Sequence, residues 1–151
     1  MRKSLLGLLI TGLGLSTPTY SFILPNLTDI RLSSRISQTL TEQNILLPRQ
    51  GGPLIRSPHY TEPSLIFNLG TNVLLGHKAD DFESYPLHSD HIWIIDMKAE
   101  DAQSRMARLH NIAATNRLCL IDKGGVEGIS YNKGNSVALA IIALSSACTA
   151  S

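Results

Sequence analysis

The sequence predicts an α/β or α+β fold, with a small mixed sheet, two or three helices and a C-terminal β-hairpin. Three observations lead to this prediction. Apolar residues with helical spacing alternate with short strand-like runs along the chain. The run His91–Asp96 holds four consecutive apolar residues, as in a strand covered on both faces. A turn-forming Asn-Lys-Gly-Asn sequence separates two further strand-like runs near the end of the chain.

The first half of the folded region predicts two helices and two short strands. Ile36 and Leu40 stand one helical turn apart, and Gly70 can take the left-handed conformation that ends a helix. Pro58 should make the first strand irregular or place it at a sheet edge. The predicted elements are a helix from Ser33 or Ser34 to Asn44, a strand Leu54–Tyr60, a helix from a Thr61 cap to Leu69, and a strand Val73–Leu75.

The second half begins with a polar loop, Gly76–Asp90, which can hold one helical turn around Asp80–Tyr85. Beyond the strand His91–Asp96, Leu109 and Ala113 lie on one side of a predicted helix. The remaining predicted elements are a helix Ala99–Thr115, a strand Leu118–Ile121, a turn Lys123–Gly125, a strand Val126–Tyr131, a turn Asn132–Asn135, and a strand Ser136–Leu144.

Length and charge limit the classes of function. A chain of 151 residues holds one compact domain. With a formal net charge of +1 and no basic stretch interleaved with aromatic residues, we expect no nucleic-acid partner. The glycine turns lack the spacing and the following helix of phosphate-binding loops, and we expect no cofactor.

The N-terminus combines a basic start with an apolar run. Arg2 and Lys3 precede Leu5–Leu15, and no further charge occurs before Asp29. Residues 1–24 can be a cleaved signal peptide or a hydrophobic helix that serves as a single membrane anchor. Both alternatives place the rest of the chain outside the cytoplasm, because positive residues stay inside. We expect a soluble domain over residues 25–145 and a disordered tail over 146–151.

Four residues are candidates for a functional role: Tyr60, Glu62, Glu127 and Tyr131. Glu62 stands at a helix start beside Tyr60, and we expect helix capping and compensation of the helix dipole rather than catalysis. Glu127 flanks a glycine turn, where an acid can hold a sugar hydroxyl or simply face water. We predict no catalytic and no metal-ligating residue.

His88, Asp90 and His91 form the spacing most suggestive of a metal site. Metal ligands must converge, whereas this sequence leads from a loop into a strand whose side chains alternate. We expect these residues to be exposed or turn-forming. Trp93 is expected in the core because its neighbours are apolar.

Cys119 and Cys148 allow one disulfide in an oxidising compartment. Cys119 lies in an apolar run, where a free thiol behaves as a small hydrophobic residue. The sequence leaves both alternatives open.

Two stretches carry a resemblance to known enzymes. They are YTEPSLIFNLGTN at Tyr60–Asn72 and VEGISYNKGNSVALAI at Val126–Ile141. They resemble the C-terminal extracytoplasmic part of bacterial polytopic glycosyltransferases of the protein mannosyltransferase and aminoarabinose (lipid A) transferase type. The resemblance extends over the chain past residue 20, in the family's order. At Ile129-Ser130 the sequence departs from the aromatic-Asn pair usual in the family.

The resemblance implies a function tied to the cell envelope. Such enzymes move a sugar from a polyprenyl-phosphate donor to an acceptor on the outer side of the membrane. Their catalytic acid lies in a loop near the N-terminus that has no counterpart here, so no catalytic residue is carried over. The implied protein is a detached or truncated domain at the periplasmic face of the bacterial inner membrane, anchored or secreted, and not catalytic alone.

The implied partners are the membrane or a membrane-embedded partner chain, together with a lipid-linked sugar. Two alternatives stay open at this point. The chain can be an independent exported binding or interaction domain without enzymatic activity. It can also form an active transferase together with another chain.

Overall fold

The computed structural model describes residues 31–82, 84–130 and 133–148. The predicted signal peptide or anchor, Tyr131, and the last residues of the predicted tail lie outside the described residues. Among the helices of the described part, none is both long enough and apolar enough to span a bilayer.

The described residues form a mixed α/β fold with three α-helices and a five-stranded mixed sheet. Two short 3-10 helices, Pro48–Gln50 and Gly76–Asp80, lie in the connections. The helices are α1 (Leu32–Glu42), α2 (Pro63–Leu69) and α3 (Ala102–Thr115). The strands are β1 (Ile55–Ser57), β2 (Val73–Leu75), β3 (Ile92–Asp96), β4 (Cys119–Ile129) and β5 (Ser136–Ser145).

The strand order is β2-β1-β3-β5-β4. β1 is parallel to both β2 and β3, whereas β5 is antiparallel to β3 and to β4. The predicted C-terminal hairpin is therefore present as β4 and β5. The mixed sheet and the hairpin confirm the mixed α/β part of the predicted fold, whereas the predicted N-terminal hydrophobic helix lies outside the described residues.

The sheet separates two hydrophobic cores. On one face, α1 and α2 pack against Ile55, Ile94 and Ile141. On the other face, α3 packs against Trp93 and Ile142. All five residues of β3 are buried, which explains its continuous apolar run. Each fully buried aliphatic side chain contributes about 1.5–3 kcal/mol to stability.

The environment of β1 differs from the prediction. We expected an irregular or edge strand because of Pro58, but β1 lies between β2 and β3. The strand ends at Ser57, so Pro58 follows the last residue that needs a ladder hydrogen bond. The predicted Thr61 cap is also wrong, because the N-cap residue of α2 is Glu62.

β4 is one continuous strand where the sequence predicts two strands and a turn. A β-bulge between Asp122 and Gly125 shifts the register with β5. Gly124 has a φ of 92°, a left-handed conformation that a β-branched or bulky residue avoids. The glycines therefore bend the strand without ending it.

Arg56 organises the loop between β2 and β3. Its side chain is fully buried, and its guanidinium donates to the carbonyls of Ala79 (3.0 Å), Tyr85 and Pro86 (3.3 Å). The guanidinium carbon lies 5.6 and 5.5 Å from the ring centres of Phe82 and Trp93. Burial lowers the pKa of Arg56, and the charge of Asp81 opposes this effect.

No sequence pattern predicts this buried cation. The helical turn predicted around Asp80–Tyr85 is present as a hydrogen bond from Tyr85 N–H to the Asp81 carbonyl at 3.2 Å, and the 3-10 helix Gly76–Asp80 comes directly before it. The carbonyls of Tyr85 and Pro86 then accept hydrogen bonds from Arg56. Trp93 is 2% exposed, which confirms its prediction as a core residue.

Cys119 and Cys148 form a disulfide, with their Cα atoms 5.6 Å apart. The bond joins the first residue of β4 to the segment that follows β5. Cys119 pairs with Ser145 in the sheet register, so the disulfide closes the open end of the hairpin.

Candidate functional site

The carboxyl ends of β1 and β3 lie side by side, and the chain leaves them in opposite directions. After β1 it continues into α2 on one face of the sheet, and after β3 into α3 on the other face. In open α/β sheets, ligands bind where neighbouring parallel strands diverge in this way. Side chains that follow β1 and β3 are therefore the first candidates for a functional site.

Glu62 lies at this edge of the sheet and is only 5% exposed. Its Oε2 atom accepts hydrogen bonds from Tyr60 Oη (2.7 Å) and Ser64 Oγ (3.3 Å). Its Oε1 atom accepts a hydrogen bond from Ser130 Oγ at 2.8 Å. A buried carboxylate is tolerated only when such donors replace the water that it has lost.

The network extends to α1 through Ser33. Ser33 Oγ lies 3.1 Å from Tyr60 Oη and 2.6 Å from Ser64 Oγ. Burial raises the pKa of Tyr60, Glu62 adds to this effect, and the Ser33 hydrogen bond opposes it. The phenol therefore stays protonated at neutral pH and donates to Glu62. We call Ser33, Tyr60, Glu62, Ser64 and Ser130 the Glu62 network.

The Glu62 network joins four parts of the fold: α1, the loop after β1, α2 and the end of β4. Glu62 makes no capping hydrogen bond with its side chain, so the expected role in helix capping is wrong. With an extended backbone at the N-cap position and Pro63 next, the carboxylate turns inward to the hydroxyl groups.

His59 and Asp101 connect the two loops that diverge from β1 and β3. His59 Nε2 lies 2.7 Å from Asp101 Oδ1, within ion-pair distance, although the N–H direction does not meet hydrogen-bond geometry. Asp101 Oδ2 accepts a hydrogen bond from Arg105 Nε at 2.8 Å, and Arg105 also pairs with Asp80. His59 Nδ1 is buried and has no hydrogen-bond partner among the described residues.

His59 and the Glu62 network border the same small cavity. Its volume is about 30 Å³, and its lining includes His59, Glu62, Asp96, Ser130 and Lys133. A cavity of this size holds about one water molecule. Asp96 Oδ1 accepts hydrogen bonds from the backbone N–H groups of Lys98 (3.1 Å) and Ala138 (3.2 Å). The arrangement offers polar atoms but no room for a sugar.

The structure brings together two of the four residues that the sequence offers as candidates for a functional role. Tyr60 and Glu62 share a hydrogen bond, whereas the Glu127 side chain is exposed on β4. The Glu127 carbonyl accepts a hydrogen bond from Arg35 Nη1 at 2.5 Å. Tyr131 lies outside the described residues. Ser33 and Ser130 were not predicted as members of the site, since serines distant in the chain give no signal of convergence.

The His88–His91 segment forms a turn, in agreement with the prediction that these residues are exposed or turn-forming. His88 and Asp90 are exposed, whereas His91 is 5% exposed and closes the turn through its N–H, which donates to the His88 carbonyl at 3.2 Å. Burial, assisted by the charge of Arg56, lowers the pKa of His91 to about 4. Within the described ranges, no three His, Cys, Asp or Glu side chains form a group that could hold a metal ion.

In comparisons with known proteins, no family model, no curated sequence and no solved structure matches the chain.

Proposed function

We propose that the folded part of this chain is an extracytoplasmic, non-catalytic domain that serves a membrane-bound polyprenyl-phosphate-sugar glycosyltransferase. The observation that carries the proposal is the position of the Tyr60-Thr-Glu-Pro-Ser motif, which also carries the sequence resemblance. Its three polar members, Tyr60, Glu62 and Ser64, bond to one another inside the domain. The motif therefore stabilises the fold, and its carboxylate is buried among hydroxyl groups.

The chemistry of sugar transfer supports the non-catalytic part of the proposal. A general base must reach the proton that it removes, at hydrogen-bond distance or through one water. Glu62 is 5% exposed and already accepts three hydroxyl hydrogen bonds. The adjacent cavity of about 30 Å³ excludes a sugar ring. Catalysis would then belong to a membrane-embedded partner chain.

Two features support an extracytoplasmic location. The N-terminal sequence, in which Arg2 and Lys3 precede an apolar run, is typical of a signal peptide or a membrane anchor. The Cys119–Cys148 disulfide suits an oxidising compartment such as the periplasm.

Capture from membranes tests the proposal. The full chain, tagged at its C-terminus, is expressed in a bacterium that has envelope glycosyltransferases, and detergent extracts are purified on the tag. We expect a polytopic membrane protein to co-purify and to transfer a radiolabelled sugar from a polyprenyl-phosphate donor. The chain alone should transfer none, and sugar transfer by the pure chain would contradict the proposal.

The second candidate function is an independent exported binding domain without a transferase partner. The observation that favours it is a wide, solvent-accessible groove along α1. The intact mass and membrane partition of the mature protein distinguish the two candidates. A cleaved, freely soluble product would favour the binding domain, and a membrane-retained product would favour the transferase partner.

A further inference from the structure

A groove follows the exposed side of α1, away from the Glu62 carboxylate. Its larger part, about 670 Å³, lies between α1 and the segment 44–50. A second part, about 340 Å³, lies between the first turn of α1 and α2. Ser34 lines both parts, so the two parts adjoin at this residue, and we call them together the α1 groove. The 11 residues of α1 give it a length of about 16 Å.

Most side chains that line this α1 groove are polar and uncharged. Nine of its fifteen side chains are hydroxyls or amides, and three are charged. The uncharged polar members are Ser33, Ser34, Ser37, Gln38, Thr41, Asn44, Gln50, Ser64 and Asn68. Hydroxyl and amide groups both donate and accept hydrogen bonds, whereas a carboxylate only accepts and a guanidinium only donates.

Several of these groups have hydrogen-bonding capacity to spare. The side chains of Ser34, Ser37 and Asn44 have no hydrogen-bond partner in the described part of the chain. Gln38 donates through Nε2 to Glu42, which leaves its Oε1 atom available. A ligand in the α1 groove would therefore meet donors and acceptors along its whole length.

Two exposed apolar side chains belong to the elements that form the groove. Phe67 is 85% exposed on α2 and precedes the lining residue Asn68 in the chain. Leu46 is 61% exposed and lines the larger part. An aromatic or aliphatic surface next to bifunctional polar groups suits a ligand that has both apolar C–H faces and many hydroxyls.

We propose that the α1 groove is a binding site for a neutral saccharide chain. The two arginines and one glutamate of the lining leave a net charge of +1, whereas nucleotides and acidic polymers require several cations. The hydroxyl and amide side chains, nine of fifteen, argue against a stable protein interface, whose buried centre is enriched in aromatic and apolar residues. The inference stands independently of the transferase proposal, because it rests on the residues of the larger part of the groove, none of which belongs to the Glu62 network.

Titration with neutral oligosaccharides tests this proposal. The full chain, labelled with nitrogen-15, is titrated with maltotetraose, cellotetraose and chitotetraose, and amide shifts are followed by NMR. We expect saturable shifts for at least one of the three, confined to α1, the segment 44–50 and α2. Gln38→Trp fills the groove and should weaken that binding by about tenfold or more.

A matched variant controls for the introduced indole. Gln103 is exposed on α3, on the opposite face of the sheet, and Gln103→Trp should keep the wild-type affinity within about twofold. Phe67→Ala should weaken binding without altering the remaining spectrum. The proposal is overturned if no oligosaccharide saturates, or if the shifts map to α3. Equal weakening by both tryptophan variants would also overturn it.

Discussion

Removal of the Ser130 hydroxyl gives the sharpest test of the Glu62 network. Ser130 is 3% exposed, and its Oγ donates to Glu62 Oε1 at 2.8 Å. The backbone bonds that shape the hairpin turn, from Ser130 N to Asn135 O and from Gly134 N to Ser130 O, do not involve this hydroxyl. Ser130→Ala therefore removes one donor from a buried carboxylate and leaves the turn intact.

The expected loss of stability follows from the charge of the acceptor. A hydrogen bond to a charged group contributes about 1.5–3 kcal/mol, because a buried carboxylate that loses a donor is not rehydrated. With a urea dependence of about 1–3 kcal/mol per molar, the unfolding midpoint should fall by about 1 M. The assay is urea unfolding at pH 7, followed by circular dichroism.

The matched control is Ser136→Ala, at the start of β5. Ser136 is exposed, and its Oγ accepts a hydrogen bond from Lys98 Nζ at 2.8 Å. Loss of such a surface contact should change stability by less than about 0.5 kcal/mol. Equal effects of the two substitutions would refute the reasoning, since the network would then contribute no more than an exposed pair.

Three further predictions concern other parts of the fold. Reduction of the Cys119–Cys148 disulfide should lower stability by at most about 3.6 kcal/mol, from the loop entropy for a separation of 29 residues. In the Cys119→Ser, Cys148→Ser double variant, reductant should leave the urea unfolding midpoint unchanged. If reductant also left the wild-type midpoint unchanged, the prediction would be contradicted. Arg56→Lys keeps the charge but loses a donor arm, so stability should fall by about 1.5–3 kcal/mol. Fluorescence of the single tryptophan, Trp93, monitors this loss, and an unchanged midpoint would count against the role of the guanidinium. Because the folded-state pKa of His91 is lowered from 6.5 to about 4, the unfolded state binds more protons in this window. Stability should fall as pH drops from 6.5 towards 4, by up to about 1.4 kcal/mol per unit, and His91→Asn should remove this part of the slope. Identical slopes for the two proteins would exclude this explanation.

The sequence predicts most of the fold because local signals agree with tertiary packing. The spacing of Ile36 and Leu40 predicts α1, and both residues are buried against the sheet. The four apolar residues of β3 predict a strand covered on both faces, which is its position in the structure. Boundaries were less accurate: the predicted strand Leu54–Tyr60 ends at Ser57, before Pro58, whereas Gly124 lies at a bulge and does not end β4.

The candidate site could be predicted only in part, for a physical reason. Tyr60, Glu62 and Ser64 lie together in the sequence and could be recognised as a motif. Ser33 and Ser130 reach Glu62 and its neighbours only through tertiary contacts, over separations of up to 68 residues. A serine has no periodicity or composition signal that marks it as a donor to a distant carboxylate. The same reason explains why Arg56 was missed.

The position of Glu62 shows how a motif that suggests catalysis can have a structural origin. Pro63 at the first helical position lacks an N–H group, so α2 begins with one backbone donor fewer to satisfy. Glu62 then has an extended backbone, and its carboxylate is free to turn towards Tyr60 and Ser130 instead of the helix end. Each hydroxyl that it accepts comes from a different element or from its own loop. The arrangement therefore fixes α1, α2 and the hairpin relative to one another. A Tyr-x-Glu-Pro-Ser sequence of this kind is best explained by the need to close the carboxyl edge of the sheet.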